Sequence, residues 1–359
     1  MNGLLSRLED FRLLPLFVLV SMGAGIAIGN ALHISDFALT PPIEAVKAIA
    51  GGTFDLTVPS AISLGVPIGL FAMMYPAMTN VRLGEVGAAF RSPRQLGVVL
   101  AFNYLVAPFV MFGLANVFVA DPELRTGLIL YGIAPCIAMV IIFTFLARGN
   151  TPMAIVFVAL NSVVQMLLIP VYARLLIGNV TFDVSVVAQS VVLYLGLPLA
   201  LGVATRMLVV RRRGEAGMDA LKPALNSVSI VGLLFTLIVM FALKGDLILE
   251  RPGIVLEMAV PMTLFFIGMF FIVLLVGAWL RFPYGDAVAV AFNATGRDFE
   301  IAIAIAITAF SPTVALATVV GPLIEVPVML FLVWSAMRLA PTLFRTGVGD
   351  PPTAAGARA

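Results

Sequence analysis

Cysteine and histidine are almost missing from this chain: Cys136 and His33 are the only ones in 359 residues. A single cysteine excludes an internal disulfide, and one cysteine with one histidine excludes a zinc or redox-metal site built from several such ligands. No metal or cofactor is expected. Charge is scarce too, with 11% charged residues against 61% hydrophobic ones, which excludes a water-soluble globule with an ordinary polar surface. The formal net charge of +2 is too small for a nucleic-acid-binding surface. A P-loop is also missing, so direct use of ATP would take a partner ATPase subunit. No Ser-His-Asp or paired-Asp constellation is visible, and His33 lies about one hundred residues from Cys136, which argues against an intramembrane enzyme.

Long apolar runs fill the chain instead. Segments of spanning length, roughly 20 residues each, fall near 11–32, 53–75, 94–119, 125–147, 151–177, 183–209, 223–243, 254–280, 284–309 and 312–339. The reading is an all-α integral membrane protein of ten transmembrane helices in the lipid bilayer. The first run follows Arg7 and Arg12, is longer than a signal-peptide core and lacks a clear cleavage site, so a retained anchor is expected. Residues 341–359, rich in Gly, Pro and Ala, read as a disordered tail.

Basic residues set the orientation. Placing both termini and the even-numbered loops on one side collects fifteen Lys and Arg there, including Arg211, Arg212 and Arg213, and leaves five (Lys47, Arg125, Arg174, Lys244, Arg251) opposite. Both termini are therefore expected in the cytoplasm, in the cell membrane. Five helices is an odd number, so a unit of five repeated once would be inverted in its second copy. Residues 1–180 and 181–340 are read as the two copies. The positions of special residues support this: Pro135 precedes Gly296 by 161 residues and Asn161 precedes Glu325 by 164.

Two runs are broken in the middle, at corresponding places in the halves. The first break is Ile133-Ala134-Pro135-Cys136, and the second runs from Asn293 to Glu300 and carries Arg297, Asp298 and Glu300. Paired interruptions of this kind point to a transporter's binding site near the bilayer midplane. Pro135 lacks an amide hydrogen and its ring collides with the carbonyl of Tyr131, so the fourth span is expected to unwind there. If a half-helix starts at Pro135, Cys136 lies in its first turn, where free amides and the positive end of the dipole favour an anion such as a thiolate, the form that bonds soft metalloids. The plain alternative is a buried cysteine packing as a small hydrophobe. At the second break Gly296 tolerates unusual backbone angles, Thr295 or Asp298 caps the half-helix resuming at Phe299, and Glu300 sits in its first turn. Arg297 and Asp298 either meet a ligand or form a structural ion pair that permits the break. Glu325 is an isolated carboxyl between apolar stretches, a group suited to taking up and giving back a proton; its alternative role is a hydrogen bond across helices. Asn161, Ser162 and Gln165 lie about one helical turn apart and either line the same cavity or glue helices together.

These segments also carry a resemblance. Gly132–Val140 (GIAPCIAMV) and Leu146–Asn150 (LARGN) resemble the fourth-helix signature of the arsenite efflux permeases of the bile acid/arsenite/riboflavin transporter superfamily. Met73–Pro76 (MMYP), Ala159–Ser162 (ALNS), Phe299–Ala304 (FEIAIA) and Gly321–Pro327 (GPLIEVP) match further, in the family's order. The resemblance implies a ten-helix fold of two inverted five-helix repeats, divided into a panel and a core whose fourth and ninth helices are broken and cross. It also implies export of arsenite, and sometimes antimonite, against inward proton movement. The family's essential cysteine falls on Cys136 and its essential glutamate on Glu325. Cys136, Asn161, Arg297 and Glu300 are accordingly expected at the metalloid oxyacid substrate, Glu325 and Asp298 at the proton, and Pro135 and Gly296 at the helix breaks. Two departures stand out. Ile142-Phe143-Thr144-Phe145 replaces a stretch with Trp and a polar residue, and Arg297-Asp298 replaces Asn-Asn or Asn-Asp. An arginine there would suit a sodium-coupled symporter of organic anions on the same fold, the alternative reading.

Overall fold

The computed structural model describes residues 14–32, 58–79, 81, 87, 90–137, 139–177, 183–250 and 253–344. Expectations that touch Arg7, Arg12, His33, Lys47 and the tail beyond Phe344 lie outside them. In hydrocarbon every backbone group has to be bonded within the protein, and a helix does this inside one segment. The described residues accordingly form helices: α1 Leu14–Leu32, α2 Val58–Thr79, α3 Pro93–Phe118, α4 Pro122–Ile133, α5 Met139–Leu146, α6 Thr151–Leu176, α7 Val184–Val191, α8 Leu197–Glu250, α9 Gly253–Trp279, α10 Tyr284–Thr295, α11 Phe299–Ala309, α12 Pro312–Val319 and α13 Gly321–Leu343. By length and composition, Pro93–Phe118, Thr151–Leu176, Val184–Val239, Gly253–Trp279 and Thr313–Leu343 are each able to cross a membrane. This is a multi-pass, all-α membrane protein.

The helix limits follow local chemistry. Asp121 caps α4, accepting from the amides of Glu123 (2.8 Å) and Leu124 (3.4 Å), with Pro122 in the first turn. The same helix ends at Ile133 because Pro135 disfavours helical angles at Ala134, which is extended at φ −105° and ψ 106°. Asn150 caps α6 and also donates to Asp286 at 2.7 Å, tying the start of α6 to α10.

Residues 210–222, expected as a loop between two spans, are helical except at Gly214, whose φ of 69° suits glycine and redirects the chain. Without that break, α8 at 54 residues would reach ~80 Å, far beyond a bilayer. A hydrogen-bonded ion pair between Arg206 and Glu215 (2.8 Å) spans the bend.

Two packing groups result. In one, α1 and α2 lie on α8 with backbones close together: a Cβ on Gly69 would meet the Thr236 hydroxyl, and one on Gly232 would come within 2.9 Å of the Met73 amide nitrogen. Gly25 with Gly29, and Gly65 with Gly69, provide small residues four apart for this approach. The other group contains α3 to α6 and α9 to α13. Its core includes the buried rings of Phe143, Phe265, Phe266, Phe270 and Phe292.

Candidate functional site

Both broken spans fall within the second group, and their breaks cross. Pro135 and Arg297 form an antiparallel bridge: the Cys136 amide donates to the Gly296 carbonyl (3.0 Å) and the Asp298 amide to the Ala134 carbonyl (2.8 Å). Each break thus supplies partners for backbone groups that unwinding would leave unbonded in hydrocarbon. The half-helix after the first break begins at Met139, so Cys136 precedes it and does not sit in its first turn. Its amide is committed to Gly296 rather than open to an anion, and the reason is the crossing strand.

Gly296 has φ −61° and ψ 140°, angles open to any residue. Space, not backbone freedom, requires a glycine here. A Cβ at 296 would strike Val140 and approach the Cβ of Cys136 to 3.1 Å. Asp298 is the cap of α11, accepting from the Ile301 amide at 3.1 Å, and Glu300 follows in the first turn with its carboxyl interacting with that of Asp298.

Arg297 is completely buried. Its guanidinium turns to carbonyls rather than to Asp298: Nη1 donates to Gly132 (3.3 Å), Nε to Thr295 (3.2 Å), and Nη2 to Ala294 and to the Asn103 side-chain oxygen (2.7 Å). Gly132 belongs to the last turn of α4 and Ala294 and Thr295 to that of α10. One cation therefore caps the C-terminal ends of both broken helices, where the dipoles place negative charge. The Phe265 ring covers it at 5.4 Å.

Glu325, also fully buried, receives the Tyr131 hydroxyl at 2.6 Å on one carboxyl oxygen and the Arg297 amide at 3.3 Å on the other. Gly321 makes this possible, since a Cβ there would lie 3.0 Å from the Tyr131 ring. Asn161 is reached through Tyr104, whose hydroxyl contacts its side-chain oxygen at 3.3 Å. Tyr104 lies in a π-helical turn of α3, Ala101–Val106. Pro108 deprives the Tyr104 carbonyl of its intrahelical donor, and the Tyr172 hydroxyl fills that place.

Six of the residues singled out from sequence, Pro135, Cys136, Gly296, Arg297, Asp298 and Glu325, thus meet at one crossing. Glu300 stands beside Asp298, while Asn161 joins through α3. Sequence reasoning missed Asn103, Tyr104 and the Tyr131 hydroxyl. The signal for the first two was a polar pair inside an apolar run; their side chains became informative only once α3 was placed against α6 and α10. Several buried polar atoms here keep unused hydrogen-bonding capacity, among them the side-chain amide nitrogens of Asn103 and Asn161, both polar atoms of Gln165 and the Thr295 hydroxyl. A polar ligand would satisfy such groups.

A family model described as the sodium bile acid symporter family matches residues 67–251. The arsenical-resistance protein Acr3 of Corynebacterium glutamicum is 34% identical over 96% of this chain and 92% of its own length. The chain belongs to the sodium bile acid symporter family. As a member it is a membrane transporter and not an enzyme. Its arsenical-resistance relatives within the family include a second Acr3, from Alkaliphilus metalliredigens, 34% identical over 76% of this chain and 81% of that protein. An uncharacterized transporter of Synechocystis is 33% identical over 92% of this chain and 89% of its own length.

Proposed function

We propose that this transporter exports trivalent arsenic as arsenite, and also its antimony analogue antimonite, from the cytoplasm in exchange for protons. The observation that carries the reading is the crossing itself, which sets the sole cysteine against Gly296 and joins a buried carboxyl, Glu325, to the same break through the Arg297 amide and the Tyr131 hydroxyl. Two relatives named for arsenical resistance, matching 96% and 76% of this chain, support the substrate class.

In this account the Cys136 sulfur bonds arsenic as one hydroxyl of arsenous acid leaves as water with the thiol proton. A single As–S bond holds the metalloid while still letting it go, whereas three thiolates would bind too tightly for release. Glu325 exchanges the proton, with Asp298 next to it, and Asn161 and Glu300 line the cavity. Arg297 braces it. Its donors rest on helix-end carbonyls, which weakens the case for an organic-anion site built on that arginine. The frame we propose has ten crossings in two inverted repeats, residues 1–180 and 181–340, with both termini in the cytoplasm and the protein in the cell membrane.

Arsenite uptake into everted membrane vesicles tests this. Uptake should appear with the protein, collapse when the proton gradient is dissipated, and persist without sodium. Sodium-driven movement of an organic anion, with no arsenite uptake, would refute it.

A further inference from the structure

The C-terminal ends of two broken helices point at one place, and an arginine from the chain's own backbone occupies it. Four oxygens from three elements surround the guanidinium: Gly132 from α4, Ala294 and Thr295 from α10, and the Asn103 side chain from the π-helical turn of α3. Each helix end carries about half a negative charge, so the pair presents roughly one, matched by the single positive charge of Arg297. Glu325 lies close enough to bond the Arg297 amide. Unwound carbonyls and half-helix C-termini are the donor set with which transporters of broken-helix design hold sodium, and the family is described as one of sodium symporters.

Oxygens of this kind are ligands for a small monovalent cation, but the position is filled by a side chain tethered to the chain. Arg297 is fully buried, closed over by Phe265, and its side-chain amide neighbour Asn103 turns its oxygen, not its nitrogen, toward the guanidinium. That orientation suits a permanent cation. We propose that Arg297 is a tethered cation standing where a sodium-coupled carrier of this design would bind its coupling ion, so that this transporter runs its cycle without sodium. The inference rests on reading the crossing as the transport centre. It makes Arg297 a positioning residue, which holds the two helix ends together in every state of the cycle, and leaves exchangeable charge to the carboxylates.

The test uses purified full-length protein in detergent, melted in NaCl, KCl or N-methylglucamine chloride at equal ionic strength. Wild type should melt at the same temperature in all three. Arg297→Ala uncovers the four oxygens: it should melt lower in N-methylglucamine, recover saturably with NaCl, and recover also with millimolar guanidinium. Arg297→Lys keeps a tethered cation and should stay indifferent to sodium. A sodium-specific gain in the wild type, or an Arg297→Ala protein that responds to neither sodium nor guanidinium, would overturn the proposal. Should Arg297→Ala yield no folded protein, sodium dependence of wild-type melting and the behaviour of Arg297→Lys still decide it, with sodium stabilisation of either counting against it. Absence of arsenite transport would sink the export reading alone, because the melting comparison needs no substrate.

Discussion

Adding one methyl group at Gly296 tests whether the two breaks are held in contact as described. The backbone angles of Gly296 accept alanine without strain, so the whole effect of Gly296→Ala comes from crowding. The new Cβ would collide with Val140 Cγ1 and press on Cys136 Cβ at 3.1 Å. Overpacking of this kind costs about 1–3 kcal/mol. Relief by separating the strands would stretch the Cys136–Gly296 and Asp298–Ala134 hydrogen bonds, 3.0 and 2.8 Å long, each contributing ~0.5–1.5 kcal/mol. A total loss of about 2–6 kcal/mol is expected on those terms, read as a lower melting temperature in detergent and reduced arsenite export. Val140→Ala in the same protein should restore part of the loss, since Val140 is the nearest obstacle, while the Cys136 contact remains. Gly113→Ala and Gly268→Ala are the controls: nothing lies within 4 Å of a Cβ at either, so helix propensity should leave stability equal or raised by up to ~1 kcal/mol. A Gly296→Ala protein as stable and active as those controls would refute the packed crossing.

Tyr131→Phe removes the hydroxyl that bonds Glu325 at 2.6 Å; a hydrogen bond to a charged group is worth roughly 1.5–3 kcal/mol, so gradient-driven arsenite export should fall about 10- to 100-fold at unchanged expression, and an unchanged rate would remove that bond from the mechanism. Glu325→Gln should abolish net export while arsenite still protects Cys136 from alkylation, and Glu325→Asp, which keeps the titrating group one methylene back, should retain part of the activity; full gradient-dependent export by the Gln variant would pass the proton role to Asp298 or Glu300. Reporter fusions after Arg213 and after Gly349 should both read cytoplasmic and one near Asp246 should read outside, and an external C-terminus would contradict the proposed topology.

The breaks themselves were legible in the sequence because they are chemically loud. Proline at 135 forbids a helix through Ala134, and three ionisable residues at 297, 298 and 300 interrupt an apolar run. The cap at Asp298 was legible for the same local reason. What the sequence did not display is contact at long range. The crossing was implied by the family resemblance alone, since no local rule around Pro135 says that its neighbours' amides and carbonyls are completed by a segment about 160 positions away, and so the placing of Cys136 in a half-helix's first turn, reasonable from local rules, was displaced by the crossing strand. The ion pair of Arg297 with Asp298 was misjudged in the same way. The actual partners of Arg297 are carbonyls, which every residue has and which no composition reveals. The helical course of residues 210–222 went unread because their polarity resembles a loop; a single glycine at 214 suffices to turn the chain.

The central claim is that the sole thiol at the crossing takes the metalloid, and arsenite export by Cys136→Ala tests it most directly. The substitution removes only the sulfur and keeps the Cβ that packs near Gly296, so fold and expression should survive. Everted vesicles carrying the variant should take up no arsenite above background under a proton gradient that drives the wild type. Uptake at the wild-type rate would contradict the account.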